Sequence, residues 1–257
     1  MLILGAGRVG TALTALAAQH PHAERAHLLG RHDPDDGLSD PERDDLILVT
    51  VRNDDLDGAL ARVPPSRRSA LVFVQNGMLR PWLAERALTG ATRGLLLFAV
   101  PHRGAAIEPG GASPFTGPHA GAMVAWFHAL GLPAVAVDEP TFASAELEKL
   151  VWNAVFGLLC QALAVDVGTL VTTYRTEVEA LARELIEHGA PALGLTVAVE
   201  PMIARLLAYS AAIPTYRGAV KEWRWRNGWF VALAANDPGA APLHREWLGR
   251  AGEPRPA

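Results

Sequence analysis

Short, nearly unbroken apolar runs alternate with amphipathic stretches along the first half of the chain. In the second half, apolar positions recur at helical spacing instead. The runs Met1 to Leu4, Ala26 to Leu29, Leu46 to Val51, Leu71 to Val74 and Leu95 to Val100 predict buried strands. Between them, Val9 to Gln19, Leu56 to Arg62 and Pro81 to Leu88 predict helices. Strands alternating with helices make βαβ units and a mostly parallel sheet. Such strands are covered on both faces, so they read as continuous hydrophobic runs rather than strict alternation. The Gly- and Pro-rich stretch Pro101 to Pro118 predicts loop or irregular strand. A helix is expected from Ala120 to Leu130, ended by Gly131 with Pro133 beyond it, then a strand from Ala134 to Val137.

The pattern changes near Asp138-Glu139-Pro140. Beyond it no strand series is visible. Ser144 to Ala164, Thr176 to Gly189, Glu200 to Ala211 and Lys221 to Ala235 have helical composition, with Ser144 as an N-cap and Gly189 as a C-terminal stop. The tail from Gly249 to Ala257 is expected to be disordered. A domain boundary therefore falls at 139, between an α/β domain (1–139) and an all-helical domain (140–257).

Composition narrows the function. The chain has 257 residues, half of them hydrophobic, enough to bury a sizeable core. A formal net charge of -4 argues against a duplex-binding protein. The single cysteine, Cys160, excludes an internal disulfide framework and a Cys-rich zinc site. No H-x-x-x-H, H-E-x-x-H or G-x-S-x-G pattern occurs, which disfavours a zinc enzyme and a nucleophile-elbow hydrolase. Neither a signal peptide nor an apolar run near the roughly 20 residues of a membrane span is apparent, so a cytoplasmic protein is expected. Lys and Arg total 23, yet only Lys149 and Lys221 are lysines. In so Arg-rich a chain a lysine invites inspection, because Lys can be tuned to give up a proton and Arg cannot.

Gly5-Ala6-Gly7-Arg8-Val9-Gly10 fits G-x-G-x-x-G between the first strand and the first helix, the context that makes the motif informative. Gly5 permits the turn, Gly7 lets a pyrophosphate approach the backbone, and Gly10 lets helix and strand pack closely. The first domain is thus expected to be a Rossmann-type, doubly wound parallel sheet that binds a dinucleotide. The second strand ends Leu28-Leu29-Gly30-Arg31-His32. An Arg at the adenosine ribose favours NADP; the competing reading has Asp33 taking the ribose of NAD. Two further strand ends are polar, Thr50-Val51-Arg52-Asn53 and Gln75-Asn76-Gly77. Asn76 there is either a cofactor or substrate ligand or half of an Asn-Gly turn.

In the helical half, Lys149 and Asn153 lie four residues apart and share a face. Lys149 is a candidate general acid, or the surface partner of Glu146. Composition alone does not separate it from Lys221.

Four segments occur in order: the glycine loop, Gln75-Asn76-Gly77-Met78, Glu148-Lys149-Leu150-Val151-Trp152-Asn153, and Lys221-Glu222-Trp223-Arg224-Trp225-Arg226-Asn227-Gly228. Together they resemble the ketopantoate reductase (2-dehydropantoate 2-reductase) family over most of the chain. The glycine loop is generic; K-L-x-x-N followed by E-x-x-x-x-N-G is the specific part. The resemblance implies a Rossmann domain, a helical substrate and dimerisation domain, and an active site in the cleft between them. It implies NADPH-dependent reduction of a 2-keto acid, in pantothenate biosynthesis, with Lys149 as general acid. Asn153, Ser210 and Asn76 would bind substrate, and Glu222 would complete the catalytic group. Gly5, Ala6, Gly7, Arg8, Val9, Gly10, Arg31, Arg52 and Asn76 would hold NADP.

The departures lie on the substrate side. Gly157 stands where many members carry a second Asn, Arg224 where they carry an acid, and Pro214 where a helix or an acid is usual. The helical half is also short. Trp223, Trp225 and Trp229 cluster beyond what the pattern needs, and Trp223 to Phe230 is expected to line the cleft or form a homodimer surface. The alternatives to a 2-keto acid reductase are a related enzyme acting on another carbonyl or imine and a catalytically silent NADP-binding sensor.

Overall fold

The computed structural model describes residues 1–34, 37–40, 43–235, 237 and 239–253. They form two compact units, Met1–Phe142 and Ala143–Ala257. Among the described residues no single helix is long and apolar enough to cross a membrane.

The first unit is built on a seven-stranded sheet. Its strands are β1 (Leu2–Leu4), β2 (His27–Leu29), β3 (Ile47–Val49), β4 (Leu71–Phe73), β5 (Thr92–Gly94), β8 (Ser113–Thr116) and β9 (Ala134–Ala136), in the order β2-β1-β3-β4-β5-β8-β9. β1 to β5 run parallel, β8 is antiparallel to β5, and β9 is parallel to β8. The helices α1 (Arg8–Gln19), α2 (Leu56–Ala61), α3 (Arg80–Glu85) and α4 (Ala120–Ala129) cover both faces. Neighbouring strand residues point to opposite faces. Thus Ile3, Leu48 and Val72 pack with Leu13 of α1 and Met123 and Phe127 of α4, whereas Phe73 meets Trp82 of α3 edge-on at 5.7 Å. β1, β3 and β4 are buried throughout, which is why their sequences are unbroken apolar runs.

One strand lies where hydrophobicity did not point. The fifth sheet strand is Thr92–Gly94, not Leu95 to Val100. Of the predicted run only Phe98–Ala99 (β6) is a strand, paired with Glu108–Pro109 (β7) in a separate hairpin. The true strand is polar but satisfied. Thr92 Oγ1 accepts the His119 amide, and the Arg93 guanidinium pairs with Glu139 and lies 4.8 Å from the Phe142 ring centroid. Paired polar groups can be buried at little cost, so a strand need not look apolar. β8 falls inside the predicted loop or irregular strand.

The second unit carries α5 (Glu139–Leu163), which starts in the first unit's residues, and α6 (Val167–Thr173), α7 (Arg175–Ala192), α8 (Val199–Ala211), α9 (Asn227–Ala234) and α10 (Pro242–Arg250). Several boundaries differ from expectation. Ser144 does not cap α5; the Asp138 carboxylate does, accepting the Thr141 amide at 2.9 Å. Gly189 does not end α7. It sits inside that helix because a Cβ would lie 2.9 Å from Leu147 Cδ1 and 3.1 Å from the Phe230 ring. The predicted helix from Lys221 is interrupted: Glu222 adopts a left-handed conformation (φ 50°), a 3-10 turn spans Trp223–Trp225, and α9 follows. The tail is helical to Arg250, because Glu184 of α7 accepts the Leu243 and His244 amides and so caps α10. Residues 254–257 of that tail lie outside the described residues.

Candidate functional site

Within the first unit, the glycine loop follows β1 directly. Gly5 donates its amide to Leu29 and holds φ at 127°. A Cβ on Gly10 would lie 2.0 Å from the Gly5 carbonyl oxygen and 2.6 Å from Thr50 Oγ1, so the helix starts tight against the loop. Gly7 differs: a Cβ there would meet nothing within 4 Å. Gly7 is also the N-cap of α1, offers no side-chain cap, and is followed by no acid in the first turn. Free first-turn amides with an unopposed dipole suit a phosphate, and the open approach at Gly7 suits a pyrophosphate. These residues fit a dinucleotide. Ala6 and Val9 are half-buried beside them, and exposed Arg8 donates to the Pro101 carbonyl at 3.2 Å.

The strand ends next to the loop are tied together. Asp33 accepts the Gly30 amide at 2.7 Å, and Arg62 clamps the same turn by donating to the Gly30 and Asp33 carbonyls at 2.7 and 3.0 Å. Arg31 projects beyond it, 71 % exposed, with Nη2 2.6 Å from Asp55 Oδ1. Arg52 is exposed and precedes the 3-10 turn Asn53–Asp55. Buried Asn53 donates to the Asn76 carbonyl at 2.8 Å, and Gln75 donates to Val49 and Val51. The Asn76 backbone is thereby fixed while the residue stays exposed, with Gly77 (φ 87°) completing the turn. Arg62 carried no sequence signal, because its partners are carbonyls roughly thirty residues away.

Within the second unit, Lys149 sits on α5 close to an ion pair formed elsewhere in the chain. Glu222 Oε2 and Arg226 Nη2 are 2.6 Å apart, and both side chains are largely buried. Burial, with the Arg226 charge adding to it, lowers the Lys149 ammonium from 10.5 to about 8; Glu222 opposes the shift. Arg226 escaped the sequence reading, although it lies four residues beyond Glu222 inside the segment singled out. Asn153 donates Nδ2 to the Lys149 carbonyl at 2.7 Å, which fixes its amide one turn along. Ser210, on α8, is fully buried, and its Oγ accepts the Trp152 indole N–H at 2.9 Å. Exposed Lys221 stands outside this group.

Within the helical unit the tryptophan-rich stretch is mostly packed inward. Trp225, Trp229 and Phe230 are buried in the helical unit, the last two against Gly189 of α7. Arg224 is exposed, its guanidinium 5.1 Å from the Trp225 ring centroid. Gly157 is sterically required: a Cβ would lie 2.8 Å from the Ala219 carbonyl oxygen. The segment around Gly218 and Ala219 runs across α5 where a residue-157 side chain would project. Pro214 belongs to the same non-helical segment, its carbonyl accepting the Gly168 amide at 2.8 Å.

No protein-family model matches the chain, and no curated protein matches it in sequence. Solved structures do match. D-mandelate dehydrogenase in complex with NADH superposes with a TM-score of 0.75 at 14 % identity, over 98 % of this chain and 97 % of that one. The 2-dehydropantoate 2-reductase of Geobacter metallireducens gives 0.74 at 19 %, over 98 % and 99 %. That of Methylococcus capsulatus gives 0.73 at 18 %, over 96 % and 94 %. The fold is that of the ketopantoate reductases. It is a Rossmann-type sheet followed by a helical unit, and its nearly complete coverage of these neighbours extends the likeness to both units.

Proposed function

We propose that this protein is a nicotinamide-dependent reductase of a 2-keto acid, related in activity to 2-dehydropantoate 2-reductase. The observation that carries the reading is the Lys149 cluster. A lysine in a chain with only two is half-buried, lowered to about 8, and set beside a Glu222–Arg226 pair and Asn153. A lysine ordinarily titrating near 10.5 is a poor proton donor at neutral pH; one near 8 is well matched to the task. Neighbours with the same fold are oxidoreductases, one of them holding NADH, which supports a nicotinamide cofactor here.

When bound, the reduced nicotinamide supplies the hydride. The chain's own residues do the rest. The amides of the glycine loop and of the first turn of α1 hold the pyrophosphate. Arg31 takes the adenosine 2′-phosphate, a reading favoured by Asp33's engagement with the Gly30 amide, and Arg52 and Asn76 contact the cofactor from the neighbouring strand ends. Asn153 orients the keto acid. Lys149 donates its proton to the carbonyl oxygen as the carbonyl carbon receives the hydride, so a 2-hydroxy acid and oxidised cofactor result. Glu222 keeps the ammonium protonated enough to act, and Arg226 keeps it acidic enough to let go. Ser210, engaged with Trp152, acts by positioning α5 against α8. The first unit would then be the cofactor domain and the second the substrate domain.

The test is NADPH and NADH oxidation, followed at 340 nm, with a panel of 2-keto acids including ketopantoate, for the wild type and Lys149→Ala. Turnover that needs Lys149 supports the reading. Turnover unchanged in the variant removes Lys149 as the acid. Tight NADPH binding with no turnover of any carbonyl or imine would make the protein a sensor instead.

A further inference from the structure

The α5 face around Lys149 also bears on what lies beside the reacting carbonyl. Lys149, Trp152, Asn153 and Phe156 follow the three- and four-residue spacing that gathers side chains on one side of a helix. Trp152 stacks on buried Phe156, with centroids 5.6 Å apart and planes at 23°. It meets Tyr209 edge-on at 5.2 Å and Tyr216 at 5.8 Å. Tyr209 and Tyr216 are 56 % and 44 % exposed, which with Val135 makes them the exposed large hydrophobic residues of the described chain. An aromatic wall with one floor of buried ring and two open rings therefore adjoins Asn153.

On that face Ser210 and one end of the Asn153 amide are already engaged, and position 157 offers nothing. Ser210 is out of solvent and accepts the Trp152 N–H, and Asn153 Nδ2 serves the Lys149 carbonyl. Position 157 has no side chain, and the Ala219 carbonyl lies where one would go. A substrate hydroxyl there would meet only the exposed Tyr209 and Tyr216 hydroxyls and a main-chain carbonyl, which favour no hydroxylated tail over water. An aromatic ring would instead gain stacked and edge contacts.

Resting on the reading of Lys149 and Asn153 as the groups that meet the keto acid, we propose that the substrate is an aryl or arylalkyl 2-oxo acid, its ring held by Trp152, Tyr209 and Tyr216. The reaction at the carbonyl is the one described above, and the ring is unchanged by it.

The experiment compares phenylglyoxylate and phenylpyruvate with ketopantoate and pyruvate, using the full chain and either nicotinamide. The expected kcat/KM for the aryl acids is at least about 10-fold above that for ketopantoate. Tyr209→Ala and Tyr216→Ala, at exposed positions, should each raise KM for the aryl acids about 2- to 10-fold, the worth of one aromatic contact, and raise that for pyruvate by less. A preference for ketopantoate, or equal losses on aryl acids and pyruvate, overturns the aromatic wall while leaving the reductase reading intact. If no 2-oxo acid turns over, the reductase reading fails, and binding decides the wall. Phenylglyoxylate should quench tryptophan fluorescence in the wild type and not in Trp152→Phe; absence of that difference overturns it.

Discussion

The two halves of the proposed machinery are made by opposite means. In the first unit, six consecutive residues, Gly5 to Gly10, present backbone amides, and what matters is the atoms they lack. In the second unit, Lys149 comes from one part of the chain and Glu222 and Arg226 from another; they present charges, and what matters is the field each sets up at the others. The loop is intolerant of added volume at particular points. The cluster is intolerant of altered charge. A steric site and an electrostatic site should therefore fail differently under mutation, and that difference can be tested.

The largest effect is expected at the charged site. Lys149→Met should lower kcat by about 10²–10⁴-fold, the usual contribution of a general acid. The same change removes a buried charge and should stabilise the fold at pH 7 by about 1–3 kcal/mol, read by urea unfolding. Its pH dependence gives a second check. Folded Lys149 loses its proton near 8 and unfolded Lys149 near 10.5, so between these values the unfolded chain binds more protons. Wild-type stability should therefore gain a rising contribution from about pH 8 to 10.5 that the variant lacks.

Next come the glycines, where stability and function should separate. Gly10→Ala forces a Cβ onto the Gly5 carbonyl oxygen and should cost about 3 kcal/mol in urea unfolding. Gly7→Ala meets open space and should cost under about 1 kcal/mol, yet weaken NADPH binding at least about 10-fold by fluorescence titration. Equal effects of the two on stability would remove the contrast.

Arg31→Ala breaks an exposed ion pair and should change stability by less than about 1 kcal/mol. The preference for NADPH over NADH should nevertheless drop about 10-fold, measured as a ratio of KM values. The smallest effects are pH shifts. Removing the Arg226 charge in Arg226→Gln should move the alkaline limb of kcat/KM to higher pH. Glu222→Gln should move it to lower pH, since Glu222 favours the ammonium. Half a pH unit either way corresponds to roughly 3-fold in rate on the limb. Movement of both in one direction would show that the limb belongs to another group.

What was legible in the sequence follows the same division. The sheet's first four strands and the glycine loop were readable because their determinants are contiguous: buried triplets such as Ile47–Val49, and a motif six residues long. β5 was misplaced because Thr92 and Arg93 are buried through partners, His119 and Glu139, that no local window contains. Lys149 drew attention through scarcity, and Glu222 through its segment. Arg226 did not, since one arginine among many acquires meaning only when folding sets it near a lysine. The interrupted helix after Lys221 was hidden for a related reason: Glu222 adopts a backbone conformation that its residue type rarely takes.

The close passage of the Gly218–Ala219 backbone over Gly157 also ties two distant positions together. A Cβ on Gly157 would lie 2.8 Å from the Ala219 carbonyl oxygen, and one on Gly218 would lie 2.9 Å from the Phe156 carbonyl oxygen and 3.0 Å from Gly157 Cα. Either side chain would collide with main chain rather than with a movable side chain. Position 157 can therefore gain a side chain only if the crossing segment lifts. Helix and segment behave as interlocked parts: a change of residue at one is answered by a change of backbone path at the other.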